Sequence, residues 1–489
     1  MPPLLILDCG GHGCRALLID DQAEILGAAF RAVKTRVDGL EVEQDADSIF
    51  DAMRGAIAEV VEGHDGPIAA AALGVQRGNV LCWSTNDGKA LSPVLSWRDR
   101  RTSGVSPKSI DATEIQQRTG LRVSPYAGAA KMAWCIEHLP AVADSLAQDD
   151  LRCGPLGAWL AGRLCDADPA VDDALAQRTL LWSRSSQDWD EGLCEPFQVP
   201  RRVLPPVREG AGDWGVIRAG DREIPLRFVG GDQNVLPWQD GGPDPDTLSI
   251  NLGTGGFMLR PLKTIRSVRE FQLSILDRAG GGRYAMEASV HGVATALGAL
   301  LEQHHARMDD IDLDSLAVGV SAPPLFINTV DGLGSPWWES GPNSGFIPDQ
   351  DFDESTLPGQ LRAVLESIAF LIKINAEVMA RYAPPPKRIC LSGGLAKSRL
   401  LCELIATLLD GPVHQLVNGE GTALGLWACL TGLAVPQSQF NIVEPGSFPG
   451  LFKRFDQWQS HLPGWQEHRR TQESWLGPTR PGSMPGEPP

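Results

Sequence analysis

The chain has 489 residues, 43 % of them hydrophobic and 21 % charged, an ordinary folded-protein balance with room for two or three domains. Acidic residues outnumber basic ones 61 to 43, and the formal charge of −18 argues against a broad nucleic-acid or acidic-membrane surface. The ten cysteines form no C-x-x-C, Met1-Pro-Pro-Leu-Leu-Ile-Leu-Asp8 has no basic leader pattern, and no stretch reaches the roughly 18 apolar residues of a membrane span, so a cytoplasmic protein with reduced thiols is expected.

In chain order, Leu4 to Leu7 reads as a buried strand and Asp8-Cys-Gly-Gly-His-Gly13 as a tight turn. Arg15 to Asp20 reads as a returning strand and Glu24 to Ala29 as a third. Ser48 is the expected N-cap of a helix carrying Ile49, Met53, Ile57 and Val60 on one face. Strands are expected at Ala69 to Val75, Val80 to Trp83 and Leu91 to Trp97, the last after an Asn86-Asp-Gly88 turn. Leu226-Arg-Phe-Val-Gly-Gly231 is an apolar strand that delivers a carboxylate, Asp232. Leu248 to Leu252 is another, which breaks at Gly253-Thr-Gly-Gly256.

Leu361, Val364, Leu365, Ile368, Leu371, Ile372 and Met379 recur at helical spacing until Pro384. A strand at Lys387 to Leu391 runs into Ser392-Gly-Gly394. A helix follows from about Ser398 to Asp410, stopped by Gly411, and Glu420 opens a final helix in which Gly421 and Gly425 permit close packing. Beyond about Val435 the pattern thins, and the Pro/Gly-rich end from Gly477 to Pro489 is expected to be disordered. Strands alternating with helices make the chain α/β.

Two hairpins, Leu4 to Asp20 and Leu248 to Arg260, share the order strand, glycine-rich turn, strand. Each opens one half of the chain, which points to a duplicated architecture with a cleft between the halves. A lone carboxylate at a strand end, Asp232, beside a Gly-Thr-Gly turn fits phosphoryl transfer. The carboxylate would take a proton from an alcohol while turn N–H groups and the Thr254 hydroxyl hold phosphate. Common alternatives drop out. Ser392-Gly-Gly-Leu-Ala-Lys-Ser398 has Ala396 where a P-loop needs glycine, Gly11 and Gly13 do not extend to G-x-G-x-x-G, and His304-His305 has no partner at metal-ligand spacing.

A series of segments in one order then carries a resemblance. They are Asp8-Cys-Gly10 with Arg15, Gln76-Arg77, Trp97-Arg-Asp-Arg-Arg101, Thr119-Gly-Leu121, Pro125-Tyr126 with Lys131 and Trp134, and Arg178-Thr179 with Asp188-Trp-Asp190. Gly231-Asp-Gln233, Gly253-Thr-Gly255, Gly332-Leu-Gly-Ser-Pro-Trp337, Leu365-Glu-Ser-Ile-Ala369, Ser392-Gly-Gly394 and Thr422-Ala-Leu-Gly425 complete it. From about residue 4 to 435 the chain resembles the FGGY carbohydrate kinases of the actin/hexokinase-like superfamily, nearest their glycerol kinase branch. The resemblance implies two actin-like (ribonuclease H-like) α/β domains flanking a nucleotide cleft. Residues 1–240 would hold the acceptor and first phosphate turn, 241–435 would hold ATP, and 436–489 would form a partly disordered extension.

It also implies roles. Asp232 stands as the general base and Asp8 as the residue that organises Mg²⁺. Gly10, Gly11, Arg15, Gly253 and Thr254 would face the phosphates of ATP, with Gly292, Gly393, Gly394 and Ser398 lining the rest of the nucleotide site. Arg77, Trp97, Tyr126, Asp232, Gln233 and Phe257 match in type a pocket for a small polyol or sugar, offering hydroxyl partners and aromatic walls. The implied partners are that small molecule and further copies of the chain, as a homodimer or homotetramer, with no nucleic acid and no membrane.

Three departures stand out. Gly11-His-Gly-Cys14 lacks the hydroxyls usual in the first turn, Gly78 replaces a glycerol-binding glutamate, and two residues are missing before Gln76. They keep two rivals beside a glycerol kinase: a kinase for a ketose or other sugar, and a catalytically weakened sugar- or nucleotide-binding regulator.

Overall fold

The computed structural model describes residues 2–105, 107–266, 268–339, 344–347 and 356–468. The expected disorder of Gly477 to Pro489 lies outside them. Each half of the chain is built on a mixed sheet, and the two sheets repeat one pattern. In the first half, Arg222–Gly231 and Ala71–Val75 run parallel to Leu4–Gly10, which pairs antiparallel with Gly13–Ile19 and through it with Ile25–Ala32. In the second, Val413–Leu416 and Arg388–Ser392 run parallel to Thr247–Leu252, which pairs antiparallel with Gly256–Pro261 and through it with Arg283–Val290. The duplication expected from the two hairpins is therefore a duplication of whole sheets.

The leading strand shows why the sequence folds this way. Successive side chains of a strand face opposite sides. Leu5 and Leu7 enter a core shared with Ile49, Met53 and Ile57 of the helix Ala46–Glu62. Ile6 enters a second core with Leu17, Ile19, Val235, Leu424 and Trp427. That second core joins the halves, because Leu424 and Trp427 lie on the helix Gly421–Thr431. Gly425 makes the approach feasible: a Cβ there would stand 2.4 Å from the Val235 carbonyl oxygen.

A second junction lies at the edge strand Gln272–Asp277 of the C-terminal sheet. Its Leu273 N–H donates to Gly120 O at 2.8 Å, and buried Gln177 donates to Leu273 O at 2.8 Å while accepting from Ile275 N at 3.0 Å. Asn234 donates to Ile275 O at 2.6 Å, and Arg278 grips Asp173 at 2.7 and 2.8 Å. Side chains of the first half thus satisfy an edge that would otherwise expose unpaired backbone.

Several sequence expectations shift. The cap of the first helix is Asp45, whose carboxylate accepts from Ser48 N at 2.8 Å and Ser48 Oγ at 2.7 Å, so Ser48 is a donor to the cap. The strand expected over Leu91 to Trp97 shrinks to Val94–Leu95, since Pro93 has no N–H to pair. After residue 435 the fold continues. Phe440–Val443 is the last strand of the C-terminal sheet, and Leu451–His468 is a helix that buries Phe455, Trp458 and Leu462. No helix among the described residues is long and apolar enough to cross a membrane.

Candidate active site

Adjacent strand ends bring the expected residues together. Asp8 stands opposite Arg15 in the first hairpin and beside Gly74 in the parallel register. The neighbouring strand ends at Gly231, and Asp232 N–H is held by Val75 O at 3.0 Å. Arg15 reaches across the halves to pair with Glu420. Burial lifts Asp8 to about 7, Asp232 adds to the rise, Arg15 opposes it and Glu420 adds a little more.

Gln233 fixes the Asp232 carboxylate from both sides, its N–H on Oδ1 at 2.9 Å and its amide Nε2 on Oδ2 at 3.0 Å. Gln233 is itself held by Asn251 Nδ2 at 2.9 Å, just before the second glycine turn. Burial raises Asp232 above the usual carboxylate range, against the pull of Arg77 and the Gln233 contacts. Its side chain keeps 18 % exposure, so it remains reachable.

Arg77 lies beside it, Nε 3.7 Å from Asp232 Oδ1, with the guanidinium 5.4 Å from the Phe257 ring centroid. Arg77 also forks onto Glu287 at 2.7 and 3.0 Å and donates to Asn234 at 2.9 Å. Glu287 receives Ser274 Oγ at 2.7 Å and is shared with Arg178. Although burial works to raise it, Arg178 and Arg77 hold this fully buried carboxylate at about 2. Glu287 was not among the expected site residues. Its sequence signal is a charge in the middle of the strand Arg283–Val290, flanked by Ala285, Met286 and Ala288.

Trp97 and Tyr126, expected as the other wall, stand with ring centroids 6.3 Å apart, and His291 lies 6.4 Å beyond Tyr126. Gln76 links this wall to the first glycine turn, its amide oxygen accepting from Gly11 N at 2.8 Å and from the Trp97 indole at 3.3 Å. A Cβ on Gly11 would stand 2.6 Å from that amide. The missing first-turn hydroxyl is thus replaced by a side chain that occupies its space.

Gly78 differs from a simple loss of glutamate. Its φ is +81°, and a Cβ would lie 3.2 Å from Trp97 Cβ and 3.3 Å from Tyr126 O. A glutamate here pays the left-handed penalty of about 1–2 kcal/mol. Gly78→Glu is expected to lose stability of that order in a denaturant melt and to weaken acceptor binding. A tighter acceptor KM in this variant would show that the backbone readily turns over to the family geometry.

Of the residues expected to face the nucleotide, Gly10 and Gly253 leave their would-be Cβ no neighbour closer than 3.7 Å, and Gly394 leaves open space. Gly393 has φ +92° and would place a Cβ 2.6 Å from Asn251 Oδ1 and Leu252 O, so only glycine fits. Thr254 sits on the turn, its carbonyl receiving Ala294 N at 3.1 Å. Two further expected residues have partners within the protein. Ser398 caps the helix Arg399–Leu408 through Leu401 N at 3.2 Å and pairs with Asp314. Gly292, at φ +65°, is packed against Asn328, whose amide donates to its carbonyl at 2.8 Å.

Comparison with known proteins identifies the family. Residues 4–233 match the N-terminal domain of the FGGY family of carbohydrate kinases and residues 248–432 match its C-terminal domain. A glycerol kinase of Halorhodospira halophila is 30 % identical over 459 residues, 88 % of each chain, and one of Trichlorobacter lovleyi is 31 % identical over 457 residues, 88 % of this chain and 90 % of that one. Among solved structures, Plasmodium falciparum glycerol kinase with ADP superposes with a TM-score of 0.80 at 19 % identity, covering 96 % of this chain and 99 % of that one. Xylulose kinase from Rhodospirillum rubrum gives 0.79 at 19 %, covering 96 % and 100 %. The chain belongs to the FGGY family of carbohydrate kinases, with the two-domain α/β fold of that family. It is a sugar or polyol kinase, a phosphotransferase to an alcohol group.

Proposed function

We propose that the protein transfers the γ-phosphoryl group of ATP to a hydroxyl of a small polyol, glycerol first among them to give glycerol 3-phosphate, with Asp232 as general base. The observation that carries this reading is the Asp232 carboxylate. It is clamped by Gln233, set beside Arg77, whose guanidinium lies over the Phe257 ring, and still partly open to solvent. A base held this way keeps one lone pair free for the attacking hydroxyl, while Arg77 and the aromatic walls orient the acceptor. The glycine turns at Gly10 and Gly253 have the clear approach that phosphate oxygens need, with Arg15 beside the first. Closure of the halves would exclude water, so that the hydroxyl rather than solvent attacks.

The site also suits a divalent cation. Asp8 feels Asp232 and Glu420 against one cation, Arg15, which pairs with Glu420, and burial and Asp232 push Asp8 up to about 7. Among the described residues no group of three or more His, Cys, Asp or Glu could cage an ion alone. Mg²⁺ would rest on Asp8 together with water and phosphate oxygens, and would supply neutralisation of phosphate charge.

The glycine at position 78 favours a second reading, a ketose or other sugar as acceptor, because no carboxylate stands there for a glycerol hydroxyl. ADP release with MgATP over a panel of glycerol, other polyols, aldoses and ketoses decides. Turnover strongest on glycerol is the expected result. Turnover confined to a ketose transfers the assignment to that sugar, and silence across the panel overturns the kinase reading.

A further inference from the structure

Lys131 lies on the helix Gly128–His138 and is fully buried. Its Nζ donates to the carbonyls of Ser96 at 2.6 Å, Gly78 at 3.3 Å and Tyr126 at 3.3 Å. An ammonium has three N–H donors and no acceptor, so the three carbonyls use it completely. The three carbonyls come from three separate segments, and each segment carries one part of the acceptor wall. Gly78 follows Arg77, Ser96 precedes Trp97, and Tyr126 is itself a wall residue. Asn79 reinforces the same junction, its Oδ1 accepting from Trp97 N at 2.7 Å.

We propose that Lys131 is a positioning residue for the acceptor. By drawing the carbonyls of Gly78, Ser96 and Tyr126 onto one point, it sets the spacing between Arg77, Trp97 and Tyr126 and hence the affinity for the phosphoryl acceptor. The inference rests on the acceptor pocket proposed above. A lysine that merely filled the core would act on stability alone. A lysine that spaces the wall acts on one substrate and spares the other, because its three carbonyl partners belong to the segments of Gly78, Ser96 and Tyr126 on the acceptor side.

The test is steady-state kinetics of Lys131→Met and Lys131→Gln with the best acceptor of the panel. Lys131→Met keeps the length without any donor, and its acceptor KM is expected to rise at least tenfold while the MgATP KM stays within about twofold. Lys131→Gln keeps two N–H donors and falls between Met and wild type. An acceptor KM in folded Lys131→Met within twofold of wild type overturns the inference and leaves the kinase reading standing. Silence of the wild type across the panel overturns the kinase reading and this inference with it.

Should neither variant fold, the wild type itself decides. Burial pulls Lys131 down to about 7, Asp99 draws it back up and Arg101 adds to the fall. Of the groups around the pocket, His291 beside Tyr126 is pulled below its ordinary value by burial, and Asp232 beside Arg77 is raised above the usual carboxylate range, also by burial. Tyr126 is pushed above its ordinary value by burial, as are Cys82 and, first through its contact with Cys82, Cys135. Asp8 titrates nearby, yet on the phosphate side, where its mark falls on kcat and the MgATP KM. A neutral amine offers one donor fewer, so the acceptor KM is expected to climb severalfold between pH 6.5 and 8.5, a change read on the acceptor KM and apart from the mark Asp8 leaves on kcat and the MgATP KM. An acceptor KM that stays level across this range overturns the inference.

Discussion

Replacing Asp232 by asparagine is expected to lower kcat by about 10²–10⁴-fold, the usual worth of a positioned general base. Nucleotide affinity should stay within a few-fold. The side chain keeps its shape, and the strand end that presents it is fixed by the Asp232 N–H bond to Val75 O at 3.0 Å, which the substitution leaves alone. What changes is chemical. Gln233 aims two donors at the carboxylate, one at each oxygen, at 2.9 and 3.0 Å. An amide can accept only one of them, so one contact becomes donor against donor at a cost of about 1 kcal/mol. That is a small structural perturbation beside the loss of a proton acceptor. Removing the negative charge also takes away a cause of the rise in Asp8, which should then titrate closer to its ordinary range. The measurement is ADP release with the best acceptor, paired with calorimetric titration of the nucleotide. Near-normal turnover with intact nucleotide binding would remove Asp232 as the base.

The parts of this fold that were legible in the sequence are those governed by short-range patterns. The two glycine-rich hairpins, the long helix ending before Pro384 and the strand ends at Gly231 and Ser392 all follow from turn residues and periodicity, and all recur in the structure. The same holds for the expected companionship of Arg77, Asp232, Gln233 and Phe257, which the family resemblance brought together before any geometry was known. What could not be read depends on pairings distant in sequence. Glu287 meets Arg77 across 210 positions and Arg178 across 109. The three carbonyls around Lys131 come from three loops. The backbone sign at Gly78 belongs to the same class, because a missing side chain in a sequence does not disclose the φ that excludes it. The strand Phe440–Val443 was missed because two of its four residues face solvent, which leaves too little apolar pattern to notice.

The largest stability effect is expected from Glu287→Gln. Arg77 and Arg178 belong to the first half of the chain and Glu287 to the second, so this carboxylate binds the halves beside the proposed acceptor pocket. Both guanidiniums are nearly buried, with side-chain exposures of 6 % and 11 %, and Glu287 has none. Removing one member of such a cluster strands like charges in a poor solvent, a loss of about 3–5 kcal/mol. Arg178 already shows the strain. Burial and then the nearby charge of Arg77 pull it down to about 10, while Glu287 holds it up.

Acid titration supplies an independent reading of the same cluster. Glu287 is held at about 2 in the folded protein against 4.5 when unperturbed, so its contribution is present above pH 4.5 and is lost as pH falls through the folded value. The difference corresponds to about 3 kcal/mol. Urea melts of the wild type should therefore weaken steeply between pH 4.5 and 2.5, and Glu287→Gln, with no carboxylate to protonate, should lack that part of the slope. Its acceptor KM should also rise, since Arg77 loses its fork. If the variant melts like wild type at pH 7 and keeps the full acid slope, the cluster contributes nothing to the junction. The burden of joining the halves would then fall on the apolar core around Leu424 and Trp427 and on the edge strand Gln272–Asp277.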